Sequence, residues 1–533
     1  MNHNTLRLSY KVTVAGTKQK QKKLPTCGPL LMSIFCSVML LGGCGASETS
    51  KPLVWDVENP TWDESAEREF SRFVAAIGAG REQKKCIKLG DCLQSPGVNP
   101  YFEPEDLEFD LFADCADLPM ILRAYFAYKT KRPFSWVSAI HGDRYSQGNR
   151  PKYFYNQSKL STLSGLFKTI GNSFHTGMFR MAPEVETSDT YPIIVSRDSL
   201  RPGTVYYDPN GHVLMVYKID TDGKIHLIDG HPDNSLTFQV FSSKFRRGSA
   251  VTGGGFKNFR PQFVASDGRT LRRPNSEISD FSAADQYQKS YRAGRLSINY
   301  YEWIKYVMSG NSEVSYEPLK YVREKTFDIC NQIGERIKSV EVATQAGIHL
   351  KAHPNFLPEN IFGASGEWEV YSTPSRDARL KASFREAFRY IKKVHLLKSN
   401  EDPSVRYEGS LRRMLEDLAD VVSEVTNSAS CQFSYRNMDS QLVDIDFLTV
   451  ARRIYDISFD PYHCPEYRWG APQYSGEVVS CRQSSLKEDW YNAQYRLRNI
   501  IDRDMSVPTP VDYGPKKGER INYVDLIYDY LYE

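Results

Sequence analysis

The stretch "FADCADLPMILRAYFAY", residues 112 to 128, sets a cysteine at the head of an amphipathic helix. Apolar residues recur as Leu118, Ile121, Leu122, Tyr125 and Phe126, the i, i+3, i+4, i+7, i+8 stripe of a helix that buries one face. Cys115, flanked by Asp114 and Asp117, therefore falls in or beside the first turn. There the unpaired backbone N–H groups and the positive end of the helix macrodipole favour a thiolate over a thiol, one way in which proteins activate a sulfur nucleophile. Cysteine is also a common small core residue, and this stretch by itself leaves both readings open. Pro119 would delete an early backbone hydrogen bond, which argues for a helix starting later than Cys115.

The rest of the chain narrows the choice. A basic segment, "KQKQKK" (Lys18 to Lys23), precedes the uncharged run "LLMSIFCSVMLL" (Leu30 to Leu41), too short for an ordinary membrane-spanning helix but suited to a secretory signal. The following "LGGCGAS" is similar to the lipobox of bacterial lipoproteins, which implies cleavage after residue 43, lipidation of Cys44 and an anchor in the envelope. The residue after Cys44 is Gly45 and not Asp, which by the sorting rule of such proteins implies the outer membrane, facing the periplasm. Residues 1 to 43 carry six basic side chains (Arg7, Lys11, Lys18, Lys20, Lys22, Lys23) and no acidic ones. Their loss leaves 62 of the 68 Lys and Arg against 65 acids, so +3 becomes −3. The basic bias belongs to the leader, and no electrostatic case for nucleic acid survives.

Of ten cysteines, Cys27 and Cys36 leave with the leader and Cys44 carries lipid. Seven remain, an odd count in a compartment where accessible thiols pair. Proximity suggests Cys86 with Cys92, Cys464 with Cys481, and Cys330 with Cys431 as disulfides. Cys115 is then the thiol without a partner. No CxxC or HxxxH spacing favours a zinc site, and no metal is expected.

About 490 residues after the leader exceed one ordinary core. The expected order is residues 44–95 as tether and N-terminal helical segment, 96–275 as an α+β domain, and 276–533 as a mainly α-helical domain with runs such as "KYVREKTFDICNQIGERI". The insertion from about His141 to Ser196 reads as long loops over a site, with His141 and His175 facing solvent. The segment "PGTVYYDPNGHVLMVYKIDTDGKIHLIDGHPDN" gives strands over Val205–Tyr207, His212–Ile219 and Lys224–Asp229, with turns at 208–211 and at Asp222-Gly223. His212 opens one strand and Asp229 ends the next, so an antiparallel hairpin sets them side by side. A thiolate nucleophile needs such a base and such an orienting group, normally from separate segments.

The order Cys, His, polar partner resembles the papain-like fold, and within it the NlpC-type cell-wall peptidases and the transglutaminase-like proteins. "DCADL" is similar to the "DCSGL" nucleophile motif of the former, "GHVLMVY" to its "HVGIY" strand and "PGTVYY" to its "PGDLVFF" strand. "LIDGHPDN" looks more like the Asp-bearing strand end of the transglutaminase-like group. The likeness covers about 150 residues, and the "WGG" segment of NlpC-type enzymes is absent. It implies a helix bearing Cys115 packed on an antiparallel sheet, with Cys115 as nucleophile, His212 as general base and Asp229 as orienter. His226 matches the NlpC-type third residue, and His231 or Asp233 could substitute. The implied activity is thiol hydrolysis of an amide, with peptidoglycan stem peptides as substrate and no cofactor. A transglutaminase-like acyl transferase and a catalytically inactive envelope lipoprotein with a binding role are the alternatives.

Overall fold

A computed structural model describes residues 55–156, 162–231, 234–294, 296–310, 314–504 and 516–533. The leader, Cys44 and Asp233 lie outside the described residues. No helix among the described residues is long and apolar enough to cross a membrane.

The chain is α+β, with antiparallel sheets. Its centre is a six-stranded sheet of β3 (Thr190–Pro192), β4 (Val205–Asp208), β5 (His212–Ile219), β6 (Ile225–Gly230), β7 (Leu236–Val240) and β8 (Gly255–Phe259), in the order β3-β8-β4-β5-β6-β7. Strands β4 to β6 match the sequence reading to within a residue. They read as unbroken apolar runs because both faces of the sheet are covered. Val205, Tyr207, Val213, Met215, Tyr217 and Ile228 belong to one core, while Tyr206, Leu214, Val216, Ile225 and Leu227 belong to a second core on the other face.

The first core is roofed by α1 (Glu64–Glu82) and α3 (Asp117–Lys129), with α2 (Leu89–Leu93) between them in sequence. Asp63 caps α1 by accepting from Ala66 N–H at 2.8 Å. Helix α1 lies so close on β5 that a Cβ at Gly78 would stand 2.3 Å from the Tyr217 ring. The guanidinium of Arg123 on α3 pairs with Glu67 on α1 and lies 3.4 Å from the centre of the Trp62 ring. Residues 62–93, read from sequence as a segment ahead of the domain, thus share the core of the sheet. The second core takes in α5 (Tyr300–Met308), and the turn at Gly223 (φ +81°) docks against its Lys305 carbonyl.

The insertion is more ordered than its composition suggests. Its β2 (Arg150–Asn156) pairs antiparallel with β1 (Ser135–His141), which leads into it, and it holds helix α4 (Leu163–Ser173), capped by Thr162. His141 is exposed, as expected, but His175 is half-buried and accepts from Gly177 N–H through Nδ1 at 3.1 Å.

Beyond residue 310 the chain is mainly helical. Helices α6 (Pro318–Gln345), α8 (Pro374–Ser399), α9 (Leu411–Thr426) and the C-terminal helix Tyr523–Tyr532 share a core of their own, with the short α7 (Glu367–Tyr371) between α6 and α8 in sequence. The buried Arg336 and Asp377 join α6 to α8 at 2.7 Å. The helical half is held to the sheet half by buried polar contacts, Lys244 Nζ to Asp328 Oδ1 and Arg503 Nη2 to Asp208 Oδ2, each 2.8 Å. Disulfides join Cys86 to Cys92, Cys330 to Cys431 and Cys464 to Cys481, and Cys115 is unpaired.

Candidate active site

Cys115 sits just ahead of α3, in a turn held from two sides. Asn234, in the β6–β7 turn, accepts from Ala113 N–H and donates to the Leu111 carbonyl, both at 3.1 Å. Gly230, at the end of β6, passes so near that a Cβ there would lie 2.7 Å from the Asp114 carbonyl oxygen. Asp114 is the true cap of the helix. Its Oδ1 accepts from Ala116 and Asp117 N–H at 2.8 and 3.1 Å, and Asp117 Oδ2 accepts from Asp114 N–H at 3.3 Å, a reciprocal capping box. Leu118 N–H already bonds the Asp114 carbonyl at 3.1 Å, so Pro119 removes the next bond of that series, the one an N–H at 119 would make to the Cys115 carbonyl.

This cap changes the electrostatics expected of a helix start. Burial first, then the charge of Asp114, with Asp229 and Asp117 further off, push the Cys115 thiol up, and the Val213 N–H donated to its sulfur offsets only part. The sulfur therefore rests as a neutral thiol. The macrodipole reading fails because the donors that would favour a thiolate already serve two carboxylates. Burial and Asp114 also push Asp117 up to about 7. Among the described residues the Cys115 N–H is left without an acceptor.

His212 and Asp229 meet as their hairpin requires, His212 Nε2 lying 2.8 Å from Asp229 Oδ2. Asp229 is fully buried, which alone would raise its pKa, but the His212 and His231 imidazoles and the Thr237 hydroxyl outweigh burial and lower it. Thr237 is the direct cross-strand partner of Asp229 on β7 and donates to Asp229 Oδ1. That hydroxyl must then accept from His231 Nε2, 2.9 Å away. An ionised Asp229 takes the Nε2–H of His212, which fixes the tautomer and leaves Nδ1 as the basic nitrogen. Cys115 and His212 are adjacent through Val213 and are not hydrogen-bonded to each other: the thiol meets the N–H of the residue after His212.

His226 lies at the opposite end of β6 and pairs with Asp220, Nε2 to Oδ2 at 2.7 Å, so it does not join this group. His231 does, through Thr237. Thr237 was not read from the sequence; its signal is the alternation of "LTFQV", which puts it on the same sheet face as Asp229 once β7 is recognised. A cleft of about 850 Å³ opens between the two halves, lined by Asp143, Tyr145, Phe356, Trp368 and Tyr462 among others.

Two groups have donor atoms within 4.8 Å of one another. Cys464 and Cys481 of the first are oxidised together. In the second, buried Asp460 already accepts from His353, Gln494 and Tyr462 N–H, at 2.6 to 2.9 Å, and His463 faces the charges of Arg468 and Arg498. It is a satisfied polar core and not a cation cradle.

Comparison with known proteins finds no matching family model, no similar curated protein and no similar solved structure.

Proposed function

We propose that this chain is a papain-like thiol hydrolase of the bacterial envelope, cleaving an amide bond, with peptidoglycan stem peptides as substrate. The observation that carries the reading is the His212–Asp229 contact at 2.8 Å with the unpaired Cys115 sulfur against the next N–H along β5. Because the thiol rests neutral, His212 acts as a general base in the attack itself: a rotamer change at Cys115 brings the sulfur to Nδ1, which takes the proton as the C–S bond forms. The Cys115 N–H faces the developing oxyanion. His212 then protonates the leaving amine, and water hydrolyses the thioester. Three disulfides beside one unpaired thiol suit an oxidising compartment, consistent with export and anchorage through Cys44. The natural partners are then a peptide substrate and, through lipid, the membrane.

The choice of Asp229 over His226 as orienting residue supports a second reading, a transglutaminase-like acyl transferase in which an amine replaces water. Purified protein is incubated with cell-wall fragments, with and without an added primary amine, and product masses are read. Water-derived products lost in Cys115→Ala, with circular dichroism unchanged, support the hydrolase. Amine adducts alone support the transferase. Equal product release by Cys115→Ala overturns both.

A further inference from the structure

The cleft of about 850 Å³ has the size of a small-molecule site and no task in the chemistry at Cys115. Its walls come from both halves of the chain: Asp143 and Tyr145 from the β1–β2 turn, and residues 354–368 with Tyr462 from the helical half. Four aromatic rings line it, Tyr145, Phe356, Trp368 and Tyr462. Phe356, 78 % exposed, is a large ring left open at the cleft. The other rings are fixed in place. Trp368 donates its indole N–H to the Ile361 carbonyl at 3.3 Å, the Tyr462 hydroxyl donates to Glu367 Oε2 at 3.2 Å, and Gly363 makes room for the Tyr145 ring, which a Cβ there would meet at 3.3 Å. Asp143 Oδ1 holds the turn by accepting from Tyr145 and Ser146 N–H, each at 2.7 Å. The charge of the lining has one sign: Asp143, Glu359 and Glu367 belong to it, and no Lys, Arg or His does. Lys351, outside the lining, pairs with Glu367, while Glu359 has no ion pair or hydrogen bond among the described residues. No three of these acids bring their oxygens within 4.8 Å of one another, so they do not converge on a bare metal ion. Aromatic faces attract a cation, carboxylates beside them add to that pull, and an anion is repelled by both.

We propose that this cleft binds an aliphatic ammonium group, held by Phe356 and the neighbouring rings and by the charges of Glu359 and Asp143. The proposal does not rest on the thiol-hydrolase reading. It gives the helical half a part in recognition, since the cleft exists only where residues 354–368 meet the β1–β2 turn.

The test is a ligand-observed NMR titration of the full chain with Nα-acetyl-lysinamide, with Nα-acetyl-norleucinamide, which has the same carbon chain without the ammonium, with 1,5-diaminopentane, and with tri-N-acetylglucosamine, a neutral glycan. The lysine amide or the diamine is expected to bind about tenfold more tightly than the norleucine amide, and added salt weakens it. Whichever of the two binds tighter tells a peptide side chain from a polyamine as the source. Phe356→Leu keeps an apolar side chain but removes the ring, and Glu359→Gln removes a charge; each is expected to weaken the amine about threefold, with Phe356→Tyr unchanged. Both side chains are exposed, so neither substitution touches the core. Equal binding of the lysine and norleucine amides, binding of the glycan alone, amine binding that neither variant weakens, or no binding of any probe overturns the proposal and leaves the hydrolase reading standing.

Discussion

Gly230→Ala tests whether the close approach of β6 to the cysteine turn sets the site. The new Cβ would stand 2.7 Å from the Asp114 carbonyl oxygen and 2.9 Å from that of Ala113, where ordinary contact begins at 3.4 Å. Both oxygens belong to backbone, so no side chain can swing away, and the turn bearing Cys115 must retreat by roughly 0.5–0.7 Å, or β6 must bend. Gly230 is outside the left-handed region, so the cost is contact alone. Overpacking of this kind costs about 1–3 kcal/mol. The retreat separates the sulfur from the strand that carries Asp229, and a misplacement near 1 Å lowers turnover by up to about 100-fold. Gly223→Ala is the control: its Cβ would stand 2.3 Å from the Lys305 carbonyl oxygen, at φ +81°, so it destabilises at least as much but far from the thiol. Urea unfolding gives the stability of each variant, and Cys115 alkylation and peptide turnover, both under folding conditions, give the state of the site. If Gly230→Ala slows these no more than Gly223→Ala does, the contact does not position the nucleophile.

Asp114→Asn keeps the oxygen that caps Ala116 and Asp117 but removes the charge beside the sulfur, so alkylation of Cys115 at pH 7.5 is expected to rise about tenfold, one pKa unit; a fall would refute the electrostatic account. In the unaltered protein, alkylation climbs with pH beyond 9, because the thiol is pushed up; a plateau below pH 7 would indicate a preformed thiolate–imidazolium pair instead. Thr237→Val strips a donor from Asp229 and an acceptor from His231 and costs about 1–3 kcal/mol at neutral pH. Because the folded pKa of Asp229 is lowered, the stability it contributes is present above the ordinary carboxyl value, about 3.9, and is lost as pH falls through the folded value. Thr237 is one cause of that lowering, so the gap between Thr237→Val and wild type narrows in acid, and a gap that widens there counts against the network. Loop-closure entropy ranks the disulfides by sequence separation: losing Cys330–Cys431, which closes 101 residues, costs about 4.7 kcal/mol, against about 2.2 for Cys86–Cys92, which closes 6. Urea unfolding of the paired alanine variants checks the order.

What the sequence made legible was local. Strands β4 to β6 followed from apolar runs cut by Asp, Asn and Gly turns, and the His212–Asp229 contact followed from the hairpin they build. Helix α4, "LSGLFKTIGNS", was illegible because its two glycines and its hydroxyl residues are poor helix formers, and it holds its shape by packing against α3. Strand β8, "GFKNF", was illegible because buried Lys257 and Asn258 break any apolar pattern. Lys257 donates to the Phe179 carbonyl and Asn258 to that of Ser199, contacts 78 and 59 residues away in the chain. Arg503 meets Asp208, the ladder partner of His212, only because the segment after Asn499 folds back onto the sheet, which no local pattern encodes.

The cap at Asp114 shows where a correct local rule gives the wrong chemistry. Cys115 does open a helix, and the rule that such a position favours a thiolate holds when its N–H groups are unclaimed. The three-residue spacing of Asp114 and Asp117 was itself a capping signature, and a carboxylate that caps a helix cancels the field it completes. In the proposed mechanism the sulfur is then held protonated and depends on His212 at the moment of attack. A thiol held in this way is also protected against stray oxidation, since oxidants take the thiolate. With the other six described cysteines paired as disulfides, that protection keeps Cys115 available, and Asp114→Asn should lose it in the same measure as it gains reactivity.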